Sequence, residues 1–364
     1  MTATPSDRNP SNPSRPASRV LIGLVLLVIL LAIGWSAVWV YAANRAEREI
    51  DAWVAREARL GRIWNCGERN LAGFPFRFEL RCRAPSLETR GGDPVRISAV
   101  SAQAVAQIWA PNHIVAEFTP PARVEELATG RVYGGTWSLL QLSGVGDLSG
   151  RPQRFSVQAH DPKVQDAAAL TPGAEARPLL SAKLFEFHVR RTAAAAASAG
   201  ALDGLDYASG MTGGESALLA ALGIAGPVDM SLQGNISAAA DLRPMPVAQR
   251  LRAWAAAGGV ARLDRFVMTT PEIAINADGT GSLTQQGRLN GNLTLGFSGL
   301  NELTQRLDRA GVIPSELAPI IGALALVGKP TTVDGRKGVS FALGFRDGTL
   351  RLGPVPVGVI PPLF

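Results

Sequence analysis

The sequence predicts a mainly β protein of the α+β class, in which an N-terminal transmembrane helix precedes a large antiparallel β-meander domain with a few covering helices. Three observations predict this fold. Residues 20–44 contain no charged residue. Later segments alternate apolar and polar residues with a period of two, as a strand with one buried face requires. Asp-Gly and Asn-Gly pairs separate several of these segments, and such pairs favour tight hairpin turns.

The charge-free run is long enough to cross a membrane. Its 25 residues would form a helix about 37 Å long, whereas the hydrocarbon core is roughly 30 Å thick. Its aromatic residues lie towards the C-terminal end, as expected for side chains that favour the headgroup level. We therefore predict a transmembrane helix over residues 19–44. The predicted anchor residues are Val20, Leu31, Trp35, Trp39 and Tyr41.

A cleavable signal peptide is the main alternative to an anchor. Signal peptides have an apolar region of about 7 to 15 residues and small residues at positions −3 and −1 of the cleavage site. Cleavage after Ala43 would put Tyr41 at −3, and cleavage after Ala37 would put Trp35 there. Both residues are bulky and the apolar run is long, so we favour an uncleaved anchor.

The short segment before the helix indicates the orientation. Residues 7–19 contain three arginines and one aspartate, and an excess of basic residues marks the cytoplasmic side. Residues 1–18 are rich in Pro, Ser, Asn and Thr, which predicts a disordered cytoplasmic tail. Residues 61–364 would then form an exported β-rich domain.

Two cysteines stand at opposite ends of one predicted hairpin. Cys66 and Cys82 are the only cysteines in the chain, and residues 76–82 alternate apolar with charged side chains. In an oxidising compartment such a pair forms a disulfide, whereas in a reducing cytosol it stays free. The alternative is two unrelated buried thiols; the predicted export favours the disulfide. No second Cys or His pair has ligand spacing, so no metal site is predicted.

Residues 45–60 have the pattern of a juxtamembrane helix. Ile50, Trp53, Val54 and Glu57 recur at helical spacing. Such a stripe can pack on the exported domain, or the helix can lie on the bilayer surface. We favour packing on the domain.

The exported segment alternates with a period of two at five places. In each of them the apolar residues share one face of a strand and the polar residues share the other. The alternating segments are 76–82, 185–190, 273–283, 293–297 and 341–352, and the predicted turns are Asp278-Gly279, Asn290-Gly291 and Asp347-Gly348.

Three short helices are predicted to cover the sheet. They lie at residues 247–257, at 301–310 with Asn301 as the cap, and at 314–327. Residues 192–214 are rich in Ala, Gly and Ser, which predicts a loop or a loosely packed connection. Such a connection would separate the domain into two halves.

Neither charge nor motifs predict an enzyme or a nucleic-acid-binding protein. The formal net charge is +6, but the basic residues form no stripe and have no interleaved aromatics, so no nucleic-acid partner is predicted. His113, His160 and His188 are far apart; His188 is expected on the polar face of a strand and the other two at turns. Residues 210–216 resemble a phosphate loop but have Glu215 where lysine is needed. We predict no catalytic residue and no cofactor.

Several segments resemble a known family. Residues 73–82 (GFPFRFELRC) resemble the signature of the bacterial family of domain of unknown function 2125, and similar pieces lie around Trp254, at 281–300 and at 345–358. More distantly, the hairpins with the pattern G-x-L-x-L are similar to those of AsmA-like envelope proteins. The latter resemblance implies an inner-membrane anchor, a β-rich periplasmic groove and a role in lipid traffic or outer-membrane assembly. Neither resemblance implies a catalytic residue.

Two functions are compatible with these features. In the first, the apolar sheet face of the anchored domain binds or conveys lipid or another apolar ligand in envelope maintenance. In the second, the domain is a structural or assembly factor that binds an envelope protein through an edge strand and has no ligand cavity. The same apolar face can also be an ordinary core covered by helices. We expect the first function, with the lipid bilayer as a partner. The expected location is the inner membrane, with a single pass, a cytoplasmic N-terminus and a periplasmic domain.

Overall fold

The computed structural model describes residues 16–90, 94–147, 149–166, 177–192, 203–224, 226–239, 245–314 and 328–364. These residues form four helices and one 21-stranded sheet in which all the strand pairs are antiparallel. The predicted class, a mainly β protein with an N-terminal apolar helix and few other helices, is confirmed.

The helices are α1 (Pro16–Arg59), α2 (Ala217–Ala221), α3 (Val247–Ala256) and α4 (Leu300–Arg309). The strands of the N-terminal part are β1 (Arg62–Asn65), β2 (Glu68–Ala72), β3 (Arg77–Arg83), β4 (Ser86–Thr89), β5 (Val95–Gln107), β6 (Ala110–Glu126), β7 (Val132–Thr136), β8 (Leu139–Gly146), β9 (Pro152–His160), β10 (Lys163–Asp166), β11 (Pro178–Ser181) and β12 (Leu184–Arg191). The remaining strands are β13 (Leu205–Ser216), β14 (Val228–Ile236), β15 (Val260–Thr269), β16 (Ala274–Leu283), β17 (Leu289–Ser298), β18 (Lys329–Val333), β19 (Arg336–Arg346), β20 (Thr349–Leu352) and β21 (Val355–Val359).

Strand order largely follows the chain, so the sheet is one long meander. β5 pairs with β3 and β4 on one side and with β6 on the other. The order continues through β7 and β8, then β9 and β10, then β11 and β12, and then β13 to β17, β19, β20 and β21. In several places two short strands pair with one long strand, and the chain bends sharply between the two short strands. Asp161, with a φ of 49°, makes such a kink between β9 and β10.

The predicted transmembrane and juxtamembrane helices form one continuous helix, α1. Its part Val20–Arg59 is long and apolar enough to cross a membrane. The C-terminal turns of α1 pack on the first strand of the domain, as the packing interpretation of residues 45–60 predicts. The rings of Trp53 and Trp64 lie 5.4 Å apart, and Arg62 donates two hydrogen bonds to the carboxylate of Glu57.

One of the three predicted turns is confirmed. Asp347 and Gly348 join β19 to β20 with positive φ angles of 48° and 80°. The predictions for Asp278-Gly279 and Asn290-Gly291 are wrong, because both pairs lie inside the paired strands β16 and β17.

Close approach of two strands explains the glycine in the first of these pairs. A Cβ atom on Gly279 would lie 2.2 Å from the carbonyl oxygen of Asn292 on β17. The chain reverses later, between β16 and β17, where Gly287 has a φ of 77°. Position 287 requires glycine because of its positive φ, whereas position 279 requires glycine because a side chain would collide with β17.

Two of the predicted covering helices are confirmed as α3 and α4. The predicted cap of α4 is wrong, because Gly299, in the left-handed conformation, occupies the N-cap position rather than Asn301. The third predicted helix, at 314–327, lies outside the described residues after Pro314. The predicted loop at 192–214 is wrong from Leu205 onwards, because β13 pairs with β12 and β14 inside the sheet; residues 193–202 lie outside the described part.

Candidate functional site: the apolar face of the sheet

The strand register brings the apolar residues of successive strands to one face. Leu142 pairs with Ala116 and Val157, and Val157 pairs with Phe187. Directly paired residues point to the same side of a sheet. We call this side the apolar face. Its larger residues are Phe78, Leu80, Ile114, Phe118, Leu140, Leu142, Phe155, Val157, Phe185, Phe187, Met211, Met230, Leu232, Phe266, Met268, Ile275, Leu293, Leu295, Phe297, Phe341, Leu343 and Phe345.

Part of the apolar face is covered by a core where β14 to β17 lie next to α2 and α4. Ile224, Val228, Ile273 and Leu303 form the buried cluster, and residues of α2 and α4 pack against it. Along β8, β9 and β12 the large apolar residues of this face are only half-buried, and Phe155 is 39% exposed, whereas the small Ala159 is buried. This part of the face therefore has apolar surface that a ligand can contact.

A concavity of about 550 Å³ separates α1 from the sheet. Tyr41 and Ile50 line it from the helix, and Phe78, Leu80 and Ile114 line it from the apolar face. Tyr41, a predicted anchor residue, is thus at the boundary between the apolar run and the sheet. The concavity begins where the charge-free run of α1 ends.

A second apolar concavity, of about 240 Å³, lies further along the same face. Trp64, Leu87, Phe118, Trp137 and Leu142 contribute to its walls. The indole nitrogen of Trp137 donates to the carbonyl oxygen of Phe118 at 2.8 Å. The indole nitrogen of Trp64 is buried and has no hydrogen-bond partner among the described residues. The sequence reasoning missed this pocket, because its residues come from strands whose pairing only the fold reveals.

Two predicted anchor residues contact the turn between β2 and β3. Trp35 Nε1 donates to the carbonyl oxygen of Pro75 at 3.0 Å, and Trp39 Nε1 donates to that of Arg77 at 3.3 Å. The ring of Trp39 also meets the edge of Phe74, with centroids 5.6 Å apart. Three further predicted anchor residues are exposed: Val20, Leu31 and Tyr41.

Cys66 and Cys82 form the predicted disulfide, which joins the ends of the β2–β3 hairpin remote from its turn. On the same hairpin, Glu79 lies on the polar side of the alternating strand, and it is only 2% exposed. Arg77 and Arg81 lie 2.8 Å and 2.5 Å from its carboxylate oxygens. These two guanidinium groups flank the carboxylate and explain how a charged residue is tolerated there.

The opposite face of the sheet is polar and carries two of the histidines. His188 Nδ1 lies 3.0 Å from Ser156 Oγ, which agrees with the predicted polar position. His113 lies inside β6 rather than at the predicted turn, and its Nε2 is 3.0 Å from Ser143 Oγ. His160 ends β9, next to the kink. Within the described ranges, no carboxylate bonds to these rings and no group of His, Cys, Asp and Glu is arranged to hold a metal.

Asp206 has the most connected carboxylate of the polar face along β12 to β14. It accepts hydrogen bonds from Asn235 at 2.8 Å and from Thr192 at 3.2 Å, and it pairs with Arg190 at 3.1 Å. These partners, Asn235 first, lower the pKa of Asp206. The cluster joins three neighbouring strands and has the character of a structural network.

Comparison with known proteins places the chain in a bacterial family. The family described as uncharacterized protein conserved in bacteria (DUF2125) matches residues 39–361. No curated protein and no solved structure matches the chain. The matched range begins in α1 at Trp39 and includes the whole sheet. The chain therefore belongs to the DUF2125 family of bacterial proteins.

Proposed function

We propose that α1 anchors this protein in the bacterial inner membrane and that the apolar face of its exported domain binds and conveys the acyl chains of lipids. One observation carries the proposal: a continuous apolar face, half-buried along β8, β9 and β12, begins beside the apolar helix and extends away from it. Apolar side chains in partial contact with water favour an apolar ligand, because such contact removes their surface from water.

The apolar face is longer than one leaflet of a bilayer. It crosses β3, β5, β6, β8, β9, β12, β13, β14, β15, β16, β17 and β19. At about 4.8 Å between neighbouring strands, this is a path of about 50 Å, compared with roughly 30 Å for a whole hydrocarbon core. A path of this length can carry an acyl chain well away from the membrane surface.

The tail and the disulfide support the proposed location. The basic residues before the charge-free run favour a cytoplasmic N-terminus. The Cys66–Cys82 disulfide favours an oxidising compartment such as the periplasm for the sheet. A groove of this kind is also what the resemblance to AsmA-like envelope proteins predicts. We propose no catalytic, cofactor-binding or nucleic-acid-binding role.

A photoactivatable lipid tests the proposed binding. The full chain would be reconstituted in liposomes that contain a phospholipid with a diazirine near the end of one acyl chain. After irradiation, mass spectrometry would locate the adducts. We expect adducts on Leu142 and Val157 of the apolar face.

Matched positions on the same strands provide the control. Gln141 and Gln158 are sequence neighbours of Leu142 and Val157 but point to the polar face. They should remain without adducts. Adducts confined to α1, or equal labelling of both faces, would contradict the proposal.

A second candidate function follows from β21, the last strand of the sheet. Val355, Val357 and Val359 are 55%, 52% and 71% exposed, and β21 pairs only with β20 among the described strands. Free strand edges pair readily with strands of other proteins. The second candidate is therefore an assembly factor that binds an envelope protein along β21.

Crosslinking in intact cells distinguishes the two candidates. A photoreactive residue in place of Val359 should capture one defined envelope protein if β21 binds a partner. Val357→Lys should abolish that capture, because a lysine blocks strand addition, whereas Arg346→Lys should not. Capture without lipid adducts on Leu142 and Val157 would favour the assembly factor over the lipid-binding protein.

A further inference from the structure

Two hairpin turns lie side by side next to the apolar part of α1. The first consists of residues 73–76 (GFPF), the β2–β3 turn. The second consists of residues 108–111 (IWAP), which are the β5–β6 turn and the first two residues of β6. The two are joined by a hydrogen bond from Ile108 N to Phe76 O of 3.1 Å. We call these eight residues the hairpin tips. They contain no charged residue.

Large apolar side chains of the hairpin tips are exposed. Phe74, Phe76 and Trp109 are 54%, 58% and 67% exposed. Aromatic side chains grouped at one end of a sheet, without charge among them, suit the boundary between lipid headgroups and acyl chains. In water alone, this group would be a cluster of unprotected apolar surface.

Contacts with α1 give the depth of the tips along the helix. A hydrocarbon core needs about 20 helical residues, which from Val20 extends to Trp39. Trp35 lies one helical turn before Trp39, inside this apolar stretch. Its indole nitrogen donates a hydrogen bond to the carbonyl oxygen of Pro75 in the first tip. Arg45, the first charged residue after the run, is ten residues beyond Trp35, or about 15 Å along the axis. The tips are therefore alongside the apolar part of α1.

Three of the four backbone carbonyls of the first tip accept a hydrogen bond from within the protein. The carbonyl of Gly73 accepts from Arg77 N at 3.1 Å, that of Pro75 from the Trp35 indole, and that of Phe76 from Ile108 N. Pro75 also has no N–H group to satisfy. Backbone polar groups must be satisfied internally where a chain enters lipid.

The next hairpin at the same end of the sheet has polar and charged residues in its turn. The β8–β9 turn lies beside the start of β6, because Asn112 Nδ2 donates to Gly146 O at 2.7 Å. It contains Asp147, Ser149 and Arg151, and the Asp147 carboxylate accepts from Ser149. The β8–β9 turn therefore carries charged side chains, whereas the two turns beside α1 have none.

From these observations we infer that the hairpin tips insert into the leaflet of the lipid bilayer that faces the exported domain. This inference rests on the proposed anchorage of α1. Insertion would hold the concavity between α1 and the sheet at the membrane surface. It would also fix the rotation of the sheet about α1, so that the apolar face opens towards the lipids.

Spin labels at single cysteines test the insertion in the full chain, reconstituted in phosphatidylcholine liposomes. The native cysteines are joined in the disulfide and would not react. Labels would be placed in Phe76→Cys and Trp109→Cys at the tips, in Ser149→Cys at the polar hairpin, and in Leu31→Cys in α1. Relaxation by oxygen, which concentrates in lipid, would be compared with relaxation by a water-soluble nickel chelate.

We expect labels at positions 76, 109 and 31 to be relaxed more by oxygen and the label at position 149 more by the chelate. Water-exposed labels at 76 and 109, with position 31 in lipid, would overturn the insertion and leave the anchor intact. A water-exposed label at position 31 would overturn both.

An unlabelled measurement guards against misfolded variants. Brominated acyl chains should quench a larger share of the tryptophan emission in the wild-type chain than in Trp109→Phe, because the substitution removes a fluorophore within the lipid and keeps an aromatic ring. An equal share of quenching in both chains would contradict the insertion of the second tip.

Discussion

Glu79 shows how this sheet accommodates a buried charge. Its carboxylate is buried, yet Arg77 and Arg81 from the same strand face project beyond it and remain more than half exposed. An alternating sequence such as Arg-Phe-Glu-Leu-Arg predicts one polar face with uniform exposure. The two longer side chains instead cover the shorter one, because a guanidinium can reach water over a neighbouring carboxylate.

Removal of the Glu79 charge should loosen the β2–β3 hairpin. We expect Glu79→Gln to reduce the free energy of opening by about 1–2 kcal/mol, because two charge-assisted contacts become weaker. Hydrogen exchange of the β3 amides in the full chain would measure it. Glu68→Gln is the matched control on β2. Its carboxylate is exposed and pairs with exposed Arg83, so its effect should stay below about 0.5 kcal/mol. Equal effects of the two substitutions would contradict the role of burial.

The disulfide should stabilise the same hairpin more strongly. It closes a loop with a sequence separation of 16, and a loop of this length stabilises by about 3 kcal/mol in the chain-entropy account. We expect the double variant Cys66→Ser/Cys82→Ser to increase exchange of the β2 and β3 amides accordingly. A reductant should have the same effect on the wild-type chain and none on the double variant. Unchanged exchange in the double variant would show that the hairpin is held by other contacts.

At the scale of elements, one set of contacts holds α1 against the sheet and another joins the strands β12 to β14. The helix joins the sheet through Trp39, Trp53 and Glu57, spread along its C-terminal half. The three strands are joined on their polar face by the Asp206 cluster. The contacts of Trp39 with Arg77 and of Asp206 with Asn235 join residues 38 and 29 positions apart, so a local pattern does not reveal them.

The Asp206 cluster should make the pairing of β13 with β12 and β14 sensitive to acid. A lowered pKa in the folded state means that folding favours the ionised carboxylate. Its contribution is present above the unfolded pKa of about 4 and is lost as the pH falls through the folded pKa. We expect Asp206→Asn to reduce the free energy of local opening of these strands at neutral pH by about 1 kcal/mol. The variant should also lose less amide protection than the wild-type chain when the pH falls below ~4.

Amide exchange of β13 as a function of pH would measure this effect. Asn235→Ala removes the partner with the largest influence on the pKa of Asp206. It should therefore reproduce part of the acid effect without removal of the carboxylate. The prediction would be refuted if, in both variants, the amide exchange of β13 increased at low pH as it does in the wild-type chain.

At the scale of the whole molecule, one face of the sheet is apolar from β3 to β19. A charge placed in its middle should interrupt a ligand path without damage to the polar face. We expect Val157→Asp to reduce labelling by the diazirine lipid on β12 and later strands by about tenfold, which corresponds to about 1.4 kcal/mol. The cause is the cost of a carboxylate beside an acyl chain.

Ser156→Asp is the matched control for this change. Position 156 is adjacent in sequence and lies on the polar face between Ser143 and His188. The same charge there should leave the labelling unchanged. If both variants lose labelling equally, the loss reflects damage to the sheet, and if neither does, the lipid does not pass Val157.

The sequence by itself determined the class of fold, the apolar helix, the hairpin with its disulfide and the apolar residues of each strand. These features are local: helix length, a period of two, and two cysteines 16 residues apart are all visible along the chain. Turn prediction succeeded at Asp347-Gly348 and failed at Asp278-Gly279, because glycine serves both positive φ angles and close strand contacts.

Only the tertiary structure decided that the separate apolar segments form one face and that α1 meets that face at its first strands. Register and strand order depend on pairings between distant residues, such as Trp35 with Pro75 and Val157 with Phe187. A period of two shows that a strand has an apolar side but not which strand lies beside it. The candidate path for lipids and the position of the hairpin tips beside the apolar helix α1 are properties of those pairings.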